Sequence, residues 1–261
     1  MNLPAVFITG AAAGIGRATA LTFARAGYLV GAYDVDEAGL ATLPAETPSG
    51  RMVTGVLNVT DPSAWQAQLA DFTEQAGGRL DVLINNAGVL AAGEFASIGL
   101  ETHRRIVDIN LLGTINGCHV AYPYLKATQG AQVVNLCSAS AIYGQPELAS
   151  YGATKSAVRG LTEALDLEWR RDGIRVLAIW PLFVRTGMLD GVSTGSTGSL
   201  GVNLTPEDVA ESIVQSIQKR PRVLPPKVHY PVGRQAKVLF TTAKFAPAWT
   251  LREVNRRIAR R

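Results

Sequence analysis

The chain is poor in the residues that staple small or extracellular folds together. It has two cysteines, Cys118 and Cys137, and three histidines in 261 residues. Two cysteines build no disulfide framework, and three scattered histidines make no metal-ligand spacing, so no metal is expected. Cys118 falls on a predicted helix and Cys137 on a predicted strand. Both are expected as buried thiols in a reducing cytoplasm. Long apolar runs are missing as well. None reaches the roughly eighteen residues of a membrane span, although 47% of the residues are apolar. The first ten residues lack a basic n-region and a cleavage site, and read as a strand start rather than a signal peptide. What remains is the composition of a globular protein, expected to be cytoplasmic.

Acidic residues are nearly absent from one region. Residues 219–261 hold twelve Lys/Arg and one acid, Glu253, a net of +11, while residues 1–218 hold thirteen against twenty, a net of −7. The formal total of +4 hides that asymmetry. A basic tail of this kind suits an anionic surface or simply a solvated face.

The pattern that is present alternates apolar runs with helical periodicity. Strands are predicted over 3–9, 28–33, 51–57, 80–84, 132–137 and 174–180. Helices are predicted over 14–26, after Asp36, from Asp61 to Ala76, from Leu100 to about Ala127 with a kink, and from Ser150 to about Arg171. Gly27 reads as a C′ stop and Asp61-Pro62 as a helix start. Alternation of this kind implies α/β architecture: a doubly wound parallel sheet of about seven strands with helices on both faces, as one domain over 1–261. Residues 182–203 are rich in Gly, Ser and Thr and read as a mobile substrate loop. Thr205, with Asp208 three residues on, starts a further helix that runs to about Gln218. Prolines 221, 225, 226 and 231 then argue against long regular structure in the basic extension over about 226–261.

The chemical centre is the stretch 138–155. Tyr151 and Lys155 are four apart, so on a helix they share one face. A tyrosine needs roughly 4 kcal/mol to move from a pKa of about 10 to about 7. An ammonium about 4 Å away, at an effective dielectric of ~20, supplies roughly that much. Ser138 follows an apolar strand, at a position that delivers a hydroxyl beside the tyrosine. At the other end of the chain, Gly10, Gly14 and Gly16, with Ile15 between the last two, lie between the first strand and the first helix. Glycines there let the backbone approach a pyrophosphate at a helix N-terminus. Asp34 ends the second strand, where a carboxylate can accept both ribose hydroxyls of an adenosine and repel a 2′-phosphate. Arg17 is the competing feature, a cation within reach of such a phosphate.

Together, Thr9-Gly10, Gly14-Ile15-Gly16, Asn85 to Gly88, Asn110, Ser138 and Tyr151-x-x-x-Lys155 resemble the short-chain dehydrogenase/reductase family over about residues 3–190. The resemblance implies an NAD(P)-dependent oxidoreductase acting on CH–OH groups. It implies that Tyr151 is the acid/base, Ser138 holds the substrate oxygen, and Lys155 serves the tyrosine and the nicotinamide ribose. Asn110 would then hold a water beside the lysine through its backbone carbonyl. Asn58 and Val59 resemble the adenine pair, with Asn58 where an Asp is usual. Asn86, Ala87 and Gly88 would line the cofactor. Pro181, Val184 and Thr186 would hold the carboxamide, although Leu182 stands where the family usually has glycine. The resemblance also implies a homodimer or homotetramer paired through the long helices of Asn110 and Tyr151.

The expected cofactor is NAD, with NADP the alternative. Substrate contacts are expected from Ser138, Ile142, Leu148, Leu182, Phe183 and Met188. Leu90, Phe95, Tyr143 and Leu189 lie nearby, and Arg185 is the one cation expected close to them. Such a lining favours a lipophilic, secondary or aromatic alcohol and its ketone. Two other readings stay open: a non-catalytic NAD-binding protein, and peripheral membrane contact through the basic tail. No nucleic-acid partner is expected. From about Leu251 the tail reads as a short amphipathic helix with a basic face.

Overall fold

The computed structural model describes residues 3–218 and 227–259. Seven strands form one parallel sheet: β1 (Ala5–Thr9), β2 (Leu29–Asp34), β3 (Met52–Val56), β4 (Val82–Asn85), β5 (Gln132–Leu136), β6 (Arg175–Trp180) and β7 (His229–Pro231). Their spatial order is 3-2-1-4-5-6-7. The order reverses between β1 and β4, which opens a crevice at the carboxyl ends of the strands. The helices are α1 (Gly14–Arg25), α2 (Glu37–Ala41), α3 (Pro62–Gln75), α4 (Leu100–Val107), α5 (Gly113–Ala127), α6 (Ala149–Trp169), α7 (Gly195–Leu200), α8 (Pro206–Gln218), α9 (Gly233–Phe245) and α10 (Ala248–Ile258).

Strand periodicity divides the core in two. Along β1, Val6 and Ile8 join the layer that packs on α1 and α8, with Phe23, Val209 and Ile213. Ala5 and Phe7 join the opposite layer, with Trp65 and Phe72 of α3 and Leu125 of α5. Phe7 stacks on Tyr33 at 4.1 Å between ring centroids. Burying side chains of this size stabilises by about 1.5–3 kcal/mol each. Polar groups between the strands are cross-linked. Asn85 Nδ2 donates to Asn135 Oδ1 at 2.9 Å, and Asn135 Nδ2 donates to Thr162 Oγ1 at 3.0 Å, which ties β4 and β5 to α6.

The expected helix starts form as their chemistry dictates. Asp61 accepts from the amides of Ser63 and Ala64, and Pro62 opens α3. Thr205 and Asp208 cap α8 reciprocally. The predicted kink in the Asn110 helix is a π-helical segment, Asp108–Leu112, between α4 and α5.

Two expectations are corrected. Residues 182–203 are not a structureless loop, because they contain α7. Its sequence, Gly-Ser-Thr-Gly-Ser-Leu, has weak helix propensity. Thr194 and Thr197 form a capping box, and tertiary contacts supply the rest. The chain after residue 226 is also more regular than its prolines suggest. Pro231 sits in β7 at the sheet edge, where a missing N–H costs nothing. Two helices, α9 and α10, follow it, and α10 begins at Ala248 rather than near Leu251. Pro221, Pro225, Pro226, Arg260 and Arg261 lie outside the described residues.

Candidate active site

The cavity at the switch between β1 and β4 has a volume of about 390 Å³. Its walls come from the segments after β1 to β6, with further residues from α4 and α6. The glycine loop forms its floor. Gly14 has φ +52°, and a Cβ there would sit 3.0 Å from the Thr186 side chain. Gly16 is pressed against the turn itself. A Cβ would fall 1.9 Å from the Gly10 carbonyl oxygen and 2.5 Å from Asn86 Nδ2. The same Asn86 amide donates to the Thr9 and Gly10 carbonyls at 2.9 and 3.0 Å, so the loop's path is fixed from below. Gly16 therefore shapes the loop without lining the cavity, whereas Gly10, Gly14 and Ile15 line it.

Asp34 lines one end of the cavity, together with Asn58 and Val59. Its carboxylate accepts from the amides of Val35 (2.7 Å), Ala12 (3.0 Å) and Asp36 (3.2 Å). Those bonds fix its direction. Arg17 is turned away. It pairs with Glu46 and donates to the Gly39 carbonyl at 3.2 Å. Asn58 Oδ1 accepts from the backbone and side chain of Thr60, so its amide is the end that can still donate. Asn86, Ala87 and Gly88 line the middle of the cavity.

Ser138, Tyr151 and Lys155 meet at the opposite end. Ser138 leaves β5 and caps a single 3-10 turn, Ala139–Ala141, accepting from Ser140 N at 3.1 Å. Its hydroxyl also bonds to Tyr151 and partly offsets the effect of burial there. Burial nevertheless dominates and pushes the Tyr151 phenol up to about 12. Lys155 is buried and donates to the Leu136 carbonyl at 2.7 Å. Burial pushes its own pKa down. The expected lowering of the tyrosine by the lysine is therefore not what this arrangement gives. The ammonium lies 5.7 Å from the Tyr151 ring centre and is spent on a backbone carbonyl.

Asn110 is buried within the π-helical segment, one layer behind the cavity. Its side chain accepts from Val89 N at 2.8 Å and donates to Val89 O at 2.9 Å, fixing the loop that follows Gly88. Its backbone carbonyl accepts from Thr114 Oγ1 at 2.9 Å. Pro181, Leu182, Phe183, Val184, Thr186 and Met188 all line the cavity. Leu182 therefore takes a place in the wall where the resemblance has glycine.

Ile142 and Leu148 do not line it. Ile142 packs on the small cluster of Cys137, Ala178 and Trp180, and Leu148 is buried at the start of α6. Phe95 is exposed and Tyr143 lies outside. Arg185 donates to the Val202 carbonyl and is not in the wall, whereas Arg105 is, in addition to Lys155. Sequence reasoning missed Arg105, Ser140 and Cys137. Arg105 stands four residues before Ile109, another wall residue, so helical spacing was the available signal.

Comparison with known proteins follows the same geometry. A family model described as short chain dehydrogenase matches residues 4–196. A 3-oxoacyl-[acyl-carrier-protein] reductase of Thermotoga maritima is 34% identical over 79% of this chain and 87% of its own. A cyclohexanol dehydrogenase of an Acinetobacter species is 30% identical over 81% and 86%. The solved 3-ketoacyl-(acyl-carrier-protein) reductase of Brucella melitensis, complexed with NADH, superposes with a TM-score of 0.79 at 26% identity, covering 88% of this chain and 96% of that one.

Proposed function

The chain belongs to the short-chain dehydrogenase/reductase family, an NAD(P)-dependent oxidoreductase acting on CH–OH groups, and within it we propose an NAD(H)-dependent enzyme that interconverts a lipophilic secondary or aromatic alcohol and its ketone. One observation carries the reading. Ser138, Tyr151 and Lys155 close one end of the cavity whose other end is Asp34 and the glycine loop. Gly10 and Gly14 line the cavity where α1 begins, and the amides of a helix N-terminus there suit a pyrophosphate.

When bound, the nicotinamide supplies the redox chemistry by giving or taking a hydride. The chain's own residues handle the oxygen and its proton. Ser138 and Tyr151 hold the oxygen of the substrate. In reduction Tyr151 gives its phenolic proton as the ketone becomes an alcohol, and in oxidation it takes that proton back. A phenol held protonated up to about 12 is ready for reduction. Oxidation requires Lys155 to leave the Leu136 carbonyl and turn its charge toward the phenol. General acid–base help of this kind contributes about 10²–10⁴-fold.

Asp34, oriented by three amides, supports NAD over NADP, because a 2′-phosphate would meet its carboxylate while Arg17 is engaged with Glu46. Leu90, Leu182, Phe183, Met188 and Leu189 support a lipophilic substrate. A homotetramer or homodimer through the helices of Asn110 and Tyr151 is consistent with exposed Leu112, Ile115 and Leu167 and with open space above Gly160. Gly152 is turned inward against Ser140 and takes no part in such pairing. We place the enzyme in the cytoplasm, where Cys118 and Cys137 stay as free thiols. No helix among the described residues is long and apolar enough to cross a membrane.

The test is absorbance at 340 nm with purified protein, NAD⁺ or NADP⁺, and a panel of alcohols. NAD⁺-dependent turnover of cyclic or aromatic secondary alcohols is expected. Turnover with NADP⁺ about tenfold better would overturn the cofactor assignment, and preference for polyols would overturn the substrate class.

A further inference from the structure

Helices α9 and α10 follow the edge strand β7. α9 turns Ala236 inward and sets Phe240 against Trp180, ring centres 5.1 Å apart. Its outer stripe carries Arg234, Lys237, Val238 and Phe245. α10 follows after one turn of chain, and none of its described side chains is fully buried. At the elbow between them Phe245 is 84% exposed and Trp249 74% exposed. Two large aromatics four residues apart, both largely in water, are unfavourable and mark a contact surface. Around them Lys237, Lys244, Arg252, Arg256 and Arg257 are exposed. The single acid of the two helices, Glu253, is already paired with Arg256 and Arg257 at 2.7 and 2.9 Å.

We propose that this elbow docks on an anionic lipid bilayer. Phe245 and Trp249 enter the interfacial layer, and the surrounding cations meet lipid phosphates. Charge decides between occupants. A second copy applied symmetrically would set these cations against their own equivalents. A nucleic acid would use the cations but leave Val238 and the outer face of Phe245 without a dry partner. A bilayer satisfies both.

The far end of α10 is joined to the substrate segment. Ser199 Oγ of α7 donates to the Ile258 carbonyl at 2.8 Å. The Ala259 backbone lies directly over Gly195, where a Cβ would come within 2.1 Å of its oxygen. Asn255 donates to the Gly144 carbonyl, in the stretch between Ser138 and Tyr151. Docking thus brings α7, which follows the 181–189 wall of the cavity, toward the lipid surface. That consequence for substrate entry rests on the oxidoreductase reading, whereas the docking itself does not.

Flotation of the intact protein with phosphatidylcholine vesicles, with and without phosphatidylglycerol, tests the docking without any turnover. The protein is expected to float with the anionic vesicles only, and to lose about tenfold of that binding at high salt. F245S/W249S and, separately, K237Q/K244Q/R252Q are each expected to cut flotation about tenfold. The thermal midpoint and the NAD⁺-dependent turnover of a water-soluble alcohol should stay at wild-type values in both. Failure to float, equal flotation on neutral vesicles, or loss of a dimer or tetramer by light scattering in F245S/W249S would overturn the proposal. So would tighter retention on DNA or RNA than on anionic vesicles.

Discussion

The two ends of the cavity are built in different ways. The cofactor end rests on strand termini and backbone: the β1 turn, the Asp34 carboxylate held by three amides, and the Asn86 amide bonded to two carbonyls. Little there can shift without moving the sheet. The substrate end rests on short elements held by long-range contacts. α7 has six residues, and its first amide donates to Glu147 Oε2 at 3.0 Å. Glu147 itself sits at φ +65°, the one non-glycine residue described there with positive φ. Its carbonyl also accepts from Gly93 N at 2.9 Å, so one strained residue joins three loops. In the enzyme proposed above, the contrast separates a rigid frame at the cofactor end from an adjustable wall at the substrate end.

Matched substitutions at the two ends sharpen that contrast. The largest effect is expected from Gly16→Ala, where the new methyl would meet the Gly10 carbonyl and the Asn86 amide. Overpacking against backbone should cost about 3 kcal/mol, or about 10 °C in midpoint for a chain of this size. Thermal melts and NAD⁺ titration check it, and an unchanged midpoint would mean the frame is not rigid. Asp34→Ala comes next. The ratio of kcat/KM for NAD⁺ over NADP⁺ should fall about tenfold, near 1.4 kcal/mol, with the alcohol KM unchanged.

Glu147→Ala should act on the other end alone. Losing a charge-assisted bond to the α7 amide costs about 1.5 kcal/mol, partly offset by nothing in the backbone, since alanine keeps the strained φ. A roughly tenfold rise in the alcohol KM with unaltered NAD⁺ affinity is expected. Equal losses in both would erase the distinction between the ends. Glu147→Gly, which relieves the strain, should recover thermal stability but not KM.

The alkaline limb of stability carries a smaller signature. The folded Tyr151 holds its proton more tightly than the unfolded chain does, since its pKa rises from 10 to about 12. Its contribution is therefore complete below pH 10 and is lost as pH climbs from 10 through about 12. Urea midpoints measured across that window should fall less steeply in Tyr151→Phe than in the wild type. The smallest effect belongs to Gly198→Ala in α7, where a Cβ meets nothing within 4 Å. It should leave kinetics alone and stabilise by at most about 0.5–1 kcal/mol through helix propensity.

The same contrast explains what could be read from the sequence. The sheet, the glycine turn, Asp34, Ser138 and the Tyr151–Lys155 pair were legible because each is local: a period, a cap or a fixed spacing. The Thr205–Asp208 cap was legible for the same reason. α7 was not, because Gly195–Leu200 lacks helical propensity and owes its shape to Glu147, fifty residues upstream in round terms, and to α10. Ile142 and Leu148 looked like wall residues from their position beside Tyr151, yet both turn into packing. The Lys155 bond to Leu136 could not be foreseen either, since a backbone carbonyl leaves no mark in the sequence.

The central claim is that Tyr151 moves the substrate proton within a frame that binds the cofactor independently of it. The direct measurement pairs two readings on Tyr151→Phe: kcat for the best alcohol of the panel at 340 nm, and the NAD⁺ dissociation constant by calorimetry. The account predicts a fall in kcat of about a hundredfold or more, with NAD⁺ binding within about twofold of wild type. Near-normal turnover in that variant would contradict it.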